Sequence, residues 1–439
     1  MNDSQLIGKI LITGRLCLKS PLLIGDGAGE TSTNFRDVHV LRAGDVPFIP
    51  GTSLCGVLRD WLEGVEPSAV KKIFGDAKDM QSSIQLDDIL LTDAKIIQRD
   101  GVRIDGLTGV VDGDGKYDYE VIERGASGDL RLLINLRGCH AVEEVSSVVA
   151  RMTSKLAEGI RLGALTTKGF GLVAADDLRA SFYDFRDGAD VAAWLLNRPA
   201  AKMIQPTSGD ASANENDFFV DAEFSFRSSF IVRDYDVGGA DADKNISAVT
   251  LKSRKDFVIP GTSLKGVMRH RAEYICARLG LDKNFLTGLM GSVDKIKSRL
   301  IVAESYVAPN NFSEVEHTRT KLDRFTGGTL QGTLFTTKPA YQKKSVVPSF
   351  KVHFEIRQAK DFEAGLAMFL LRDLWLGRVA IGGEKSIGRG AVAGLSAVIK
   401  FKGKTYKLGD GGKVISGERS ELESFAAALK NFSSGGGGK

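Results

Sequence analysis

The chain has 439 residues, too long for one ordinary core and comfortable for two domains of about 200 residues each. Its composition, 43% hydrophobic and 26% charged, excludes a wholly disordered, collagen-like or coiled-coil protein, and its net charge of +4 permits a polyanionic partner without requiring one. Four scattered cysteines (Cys17, Cys55, Cys139, Cys276) form no C-x-x-C pair and the N-terminus has no apolar core, which argues against a stapled secreted fold, a cysteine zinc site and a membrane partner and predicts a cytoplasmic protein.

In chain order, KILITGRLCLKSPLLIG (9–25) alternates with period two and reads as a strand with one buried side, at a sheet edge or face. FIPGTSLCGVLRDWLE (48–63) follows, where Pro50 and Gly51 fix a turn, Thr52 or Ser53 offers an N-cap, and helical spacing begins. IFGD (73–76) closes that helical region, LRLLINL (130–136) reads as a strand and 141–159 as a second helix, and the glycine-rich run GALTTKGFG spans 163–171. The same series then recurs. FFVDAEFSFRSSFIV (218–232), VIPGTSLKGVMRHRAE (258–273), LMGS (289–292), FKVHFEIRQ (350–358), a helix over 360–377 and GGEKSIGRG (382–390) keep the order of the first set, with Pro50 and Pro260 in register.

A third matching pair, IDGLTGVVDGDGKYDYEV (104–121) and LDRFTGGTLQGTLFTTKP (322–339), aligns Asp105 with Asp323. The chain is therefore a tandem duplication of an α+β domain. Strand, helix, strand, strand, helix, strand is the ferredoxin-like order. The predicted boundaries are a first domain over 1–180, a polar linker over 181–216, a second domain over 217–405, and a C-terminal extension over 406–439 ending in a flexible glycine-rich tail.

Two places in each domain point to phosphate. The glycine-rich runs let backbone N–H groups approach an anion, with Lys168, Gly169 and Gly171 in the first and Lys385, Gly388, Arg389 and Gly390 in the second. Neither run is a P-loop or a dinucleotide fingerprint, so no nucleotide cofactor is implied. At the strand-to-helix turns, Ser53 and Ser263 sit in the first helical turn with Arg59, Lys265 and Arg269 just beyond, where hydroxyl, helix N-terminus and cation converge in a way that suits an RNA backbone.

The motifs IPGTSLCGVLR and IPGTSLKGVMR, each followed by a glycine-rich loop, resemble the RAMP superfamily of CRISPR-associated proteins, and most closely the backbone subunits of type III effector complexes, across roughly 8–180 and 217–400. The resemblance implies two fused RRM-like domains that grip guide RNA (crRNA), pair it with single-stranded target RNA and assemble with other effector subunits. It also implies that 104–121 and 322–339 are β-hairpin thumbs inserted between bases, with Arg103, Arg324 and Phe325 suited to phosphate and base contact. The cleaving subunits of that family carry an Asp between the first strand and the Ile-Pro-Gly turn, and here that position is Asp37, followed by His39 and Arg42. Asp37 is thereby the expected catalytic residue and ligand of a divalent metal, Mg2+ or Mn2+. Asp26 and Asp45 are weaker because both lie in turn-like sequence. In the second domain the position in register is Ser247, with Asp241 and Asp243 as weak substitutes, so that domain is expected to hold RNA rather than cut it. The alternatives are a non-catalytic scaffold for guide and target, or an endoribonuclease that processes precursor guide RNA.

Overall fold

The computed structural model describes residues 5–27, 38–76, 78, 80–106, 108–207, 214–235, 246–292, 296–343 and 348–434. The chain divides into two compact units: Met1–Ile104 with Val111–Thr166 and Phe170–Ala213, and Asn214–Lys439 with Asp105–Val110 and Thr167–Gly169.

The first unit contains, in order, β1 (Leu6–Leu18), α1 (Gly51–Val65), α2 (Pro67–Phe74), β2 (Ile84–Leu86), β3 (Ile96–Ile104), β4 (Val111–Ile122), β5 (Ser127–Arg137), α3 (Val142–Glu158), β6 (Leu172–Asp184), α4 (Gly188–Leu195) and β7 (Lys202–Ile204). Its main sheet has the order β7-β6-β1-β5-β2, and each neighbouring pair is antiparallel. The alternation of 9–25 is thus that of a central strand with one covered face: Ile10, Ile12 and Leu16 are fully buried, against Leu54, Leu58 and Leu62 of α1 and Val148, Val149, Met152 and Leu156 of α3. The four-residue spacing of the α1 leucines puts them on one stripe, and burying each stabilises by about 1.5–3 kcal/mol.

The second unit repeats the plan with β8 (Phe218–Phe226), α5 (Gly261–Leu279), α6 (Lys283–Met290), β9 (Leu300–Val302), β10 (His317–Arg319), β11 (Phe335–Lys338), β12 (Ser349–Ile356), α7 (Asp361–Trp375), β13 (Val392–Phe401), β14 (Lys404–Leu408), β15 (Val414–Ser416) and α8 (Arg419–Ser434). Its sheet runs β9-β12-β8-β13-β14-β15. The strands shared by the two units occupy the same places, with β8 between β12 and β13 as β1 lies between β5 and β6. The α+β reading and the duplication both hold. The second core is richer in aromatics, with Phe226 stacked on Phe230 (4.1 Å between centroids) and on Phe350 (4.8 Å).

Two expectations about boundaries differ from the structure. The stretch 181–216 is largely folded: β6 runs on to Asp184, Asp187 caps α4 by accepting from Ala189 N, and β7 pairs with β6. Its polar composition concealed a small aromatic anchor, Trp194 packed edge-on to Tyr183 at 5.2 Å. The extension after 405 is also built in. β14 and β15 lengthen the second sheet, and α8 packs on α7 so closely that a methyl at Gly365 would lie 2.2 Å from the Phe425 carbonyl oxygen. The glycine-rich end, 435–439, lies outside the described residues.

Candidate nucleic-acid interface

In both units a proline makes the turn into the helix. Pro50 and Pro260 are the N-cap residues, and no side chain caps either helix, so Thr52 and Ser53 and their counterparts lie inside the first turn instead of serving as the cap. The glycine after each proline is required by close approach: a methyl on Gly51 would lie 2.3 Å from Leu86 O, and one on Gly261 would lie 2.6 Å from Val302 O. Gly51 N is held by Asp88 Oδ1 at 2.7 Å. The hydroxyl residues Ser53 and Ser263 are half-buried and Arg59 is exposed.

The cations of the second helix serve the fold. Lys265 is buried, and its Nζ donates to Ser298 Oγ and Leu300 O at 2.8 Å and to Thr167 O at 3.2 Å. Burial, with Lys168 and Arg269 nearby, pushes its pKa down to about 7. Arg269 Nη2 caps the end of α6 by donating to Met290 O (2.8 Å) and Gly291 O (2.9 Å). Neither side chain is a free cation on the surface, contrary to what helical position alone implied. Lys168 is half-buried, and burial followed by the charge of Arg269 lowers its pKa.

The glycine-rich runs fold alike. Each makes one 3-10 turn, Thr166–Lys168 and Lys385–Ile387, and each ends in a glycine of positive φ, Gly171 at 76° and Gly390 at 77°. A methyl at either would lie 1.9 Å from a carbonyl oxygen, that of Leu162 or Ile381. Gly169 (φ 100°) is buried, whereas Lys385 and Gly388 (φ 86°) are exposed. Arg389 points inward and is 4% exposed, with its Nε on Glu384 Oε2 at 2.7 Å.

The hairpins share one tip. Asp105 Oδ1 accepts from Thr108 N (2.6 Å) and Thr108 Oγ1 (2.7 Å), and Asp323 Oδ1 accepts from Thr326 N (2.8 Å) and Phe325 N (2.8 Å). Those backbone donors hold the Asp323 carboxyl below its usual pKa. In the first unit the hairpin is β3–β4, so it begins well before 104. In the second, β10 and β11 pair and a bridge joins Leu322 to Thr329. Arg103 is exposed and paired with Asp112 at 2.8 Å. Arg324 is exposed, and Phe325 is 99% exposed at the tip.

Asp37, Asp241 and Asp243 lie outside the described residues. The chain after Asp37 is held against the hairpin: Val38 bridges Tyr119, Glu120 N donates to Val38 O at 3.0 Å, and Glu120 Oε2 accepts from Val40 N (3.1 Å) and Arg42 Nη2 (2.7 Å). Burial would raise the Glu120 pKa, but Val40 N, Arg42 and His39 draw it below the ordinary value. Glu120 was not legible as a site residue because it reads as one of many acids in the hairpin. Asp26 and Asp45 are both exposed. Among the described residues no group of three His, Cys, Asp or Glu is arranged to hold a metal, and Glu120, the carboxylate nearest in sequence pairing to this segment, is engaged by Arg42 and His39. His140, buried with its Nδ1 accepting from Arg137 N at 2.8 Å, is a core histidine.

The RAMP superfamily model matches residues 15–174 and 223–393, one segment in each unit. The chain belongs to the RAMP superfamily and carries two RAMP domains in tandem. Membership makes it, at the coarse level, a CRISPR-associated RNA-binding protein. No curated protein matches the chain significantly. Among the described residues, no helix is long and apolar enough to cross a membrane.

Proposed function

We propose that this protein is a guide-RNA-binding backbone subunit of a type III CRISPR effector whose first domain cleaves complementary target RNA through Asp37. The observation that carries the proposal is the repetition, on two copies of one scaffold, of an Asp-capped hairpin tip and a glycine-rich turn of the same backbone shape. A polymer of regular backbone is gripped by regularly repeated supports, and sequence readout is left to base pairing. Exposed Lys385, Arg324 and Arg59 supply charge for phosphates, and Phe325 supplies an aromatic face for a base.

In the cleavage step the target ribose O2′ attacks the adjacent phosphorus, the bond to O5′ breaks, and the products carry a 2′,3′-cyclic phosphate and a 5′-hydroxyl. The Asp37 carboxylate orients the 2′-hydroxyl and receives its proton, and water protonates the departing O5′. A divalent metal bound there would stabilise charge on the phosphoryl oxygens. Val38–Val40, fixed against β4, anchors the segment that carries Asp37 to the hairpin that would splay the target. In the second domain, exposed Ser247 occupies the register position of Asp37, which supports holding without cutting. The test uses the chain assembled with guide RNA. Target carrying a 2′-deoxy sugar at the cut nucleotide should bind as well as RNA and remain whole, and cutting of that target would overturn the step.

A further inference from the structure

The two units support the same loop with opposite chemistry. At positions in register, Leu165 and Glu384 both have φ of 55°. A non-glycine residue in that conformation costs about 1–3 kcal/mol, which glycine would avoid, so each side chain does something glycine cannot. In the first unit Leu165 packs in an apolar cluster with Phe170, Tyr119, Val121 and Leu23, and Phe170 lies 6.0 Å from the Tyr119 ring on the hairpin strand β4. In the second unit the positions of Leu165 and Phe170 become Glu384 and Arg389.

There the cluster is ionic. Arg389 and Glu384 form an ion pair at 2.7 Å with side chains 4% and 3% exposed. Arg319, on the hairpin strand β10, donates to Glu384 Oε1, and Arg233 reaches the same oxygen at 3.5 Å. Arg389 Nη1 also donates to Tyr341 Oη at 3.0 Å, and its Nη2 lies 3.2 Å from His317 Nδ1. Arg319 covers the ring of Phe335 on β11 at 4.9 Å. Burial would raise the pKa of Glu384, and the guanidiniums of Arg319 and Arg389 more than reverse this, keeping it ionised. One carboxylate thus ties the glycine-rich loop to β10 at the hairpin base, and Arg319 carries the tie on to β11 through Thr337 and the Phe335 ring.

We propose that Glu384 is the positioning residue of the second domain's RNA grip, fixing loop and hairpin in one arrangement so that both meet RNA together. The inference rests on the RNA-binding reading above. It makes a prediction opposite to simple electrostatics: Glu384→Gln raises the positive charge, which alone would tighten RNA binding, whereas loss of positioning weakens it.

The experiment measures anisotropy of fluorescein-labelled single-stranded RNA with the full chain at fixed salt, together with hydrogen exchange. Glu384→Gln and the charge-keeping Glu384→Asp should each weaken binding about tenfold by undoing preorganisation. Exchange should rise together in 382–390 and 317–319 and stay unchanged in 163–171. Unchanged or tighter binding by both variants would overturn the proposal, and the milder Asp variant decides the matter if Gln unfolds the domain. If wild-type protein binds no RNA, the RNA reading falls by itself, and the exchange data still judge the clamp: a loosened loop over an unloosened hairpin base would refute it.

Discussion

His353 shows how a single residue makes the fold sensitive to pH. Its Nδ1 lies 2.7 Å from Asp221 Oδ1 and its Nε2 3.8 Å from Glu355. Burial lowers its pKa, but the two carboxylates outweigh burial and raise it to about 9. A folded value above the unfolded one, near 6.5, means that the contribution is complete below that pH and is lost as pH rises through 9. Because Asp221 is 60% exposed, the contribution is discounted to about 1 kcal/mol. Thermal unfolding should therefore show Tm falling between pH 7 and 10, and His353→Gln should flatten that slope. At this scale the sequence was least informative. Lys265 and Arg389 read as free cations, but Lys265 flanks the Leu264 and Met268 stripe of α5, so its long stem carries the amine into carbonyl groups, and Arg389 takes a position that is Phe170 in the other unit.

Among the elements, loops and hairpins give the clearest mutational contrasts. Gly171→Ala or Gly390→Ala combines a positive φ with a methyl set 1.9 Å from a carbonyl oxygen, so each should cost more than about 3 kcal/mol, read as a lowered urea midpoint. Phe325→Ala should do the reverse, leaving stability within about 0.5 kcal/mol because the ring is 99% exposed. It should also weaken single-stranded RNA binding about tenfold if a base stacks there, measured by anisotropy. The helices over 141–159 and 360–377 were legible because the spacing of their apolar residues agrees with burial. The strand β3 was not, since the buried positions in the middle of Ile96–Ile104 are Arg99 and Gly101, with no apolar alternation to mark them, and the strand is held by pairing with β4.

For the whole molecule, the duplication was readable because motifs recur in one order, and the matching sheet orders of the two units follow from it. The folded stretch after 180 was hidden because Trp194 and Tyr183 meet only through tertiary packing. Asymmetry between the domains is the central functional claim: Asp37 in the first has Ser247 as its counterpart in the second. The most direct test loads the chain and its partner subunits with guide RNA and follows end-labelled complementary target with wild type and Asp37→Ala, each in magnesium and in EDTA. The predicted result is loss of a specific cut both in the variant and in EDTA, with target binding retained. An unchanged cutting pattern in Asp37→Ala would contradict catalysis by the first domain and leave the protein as a scaffold that holds guide and target.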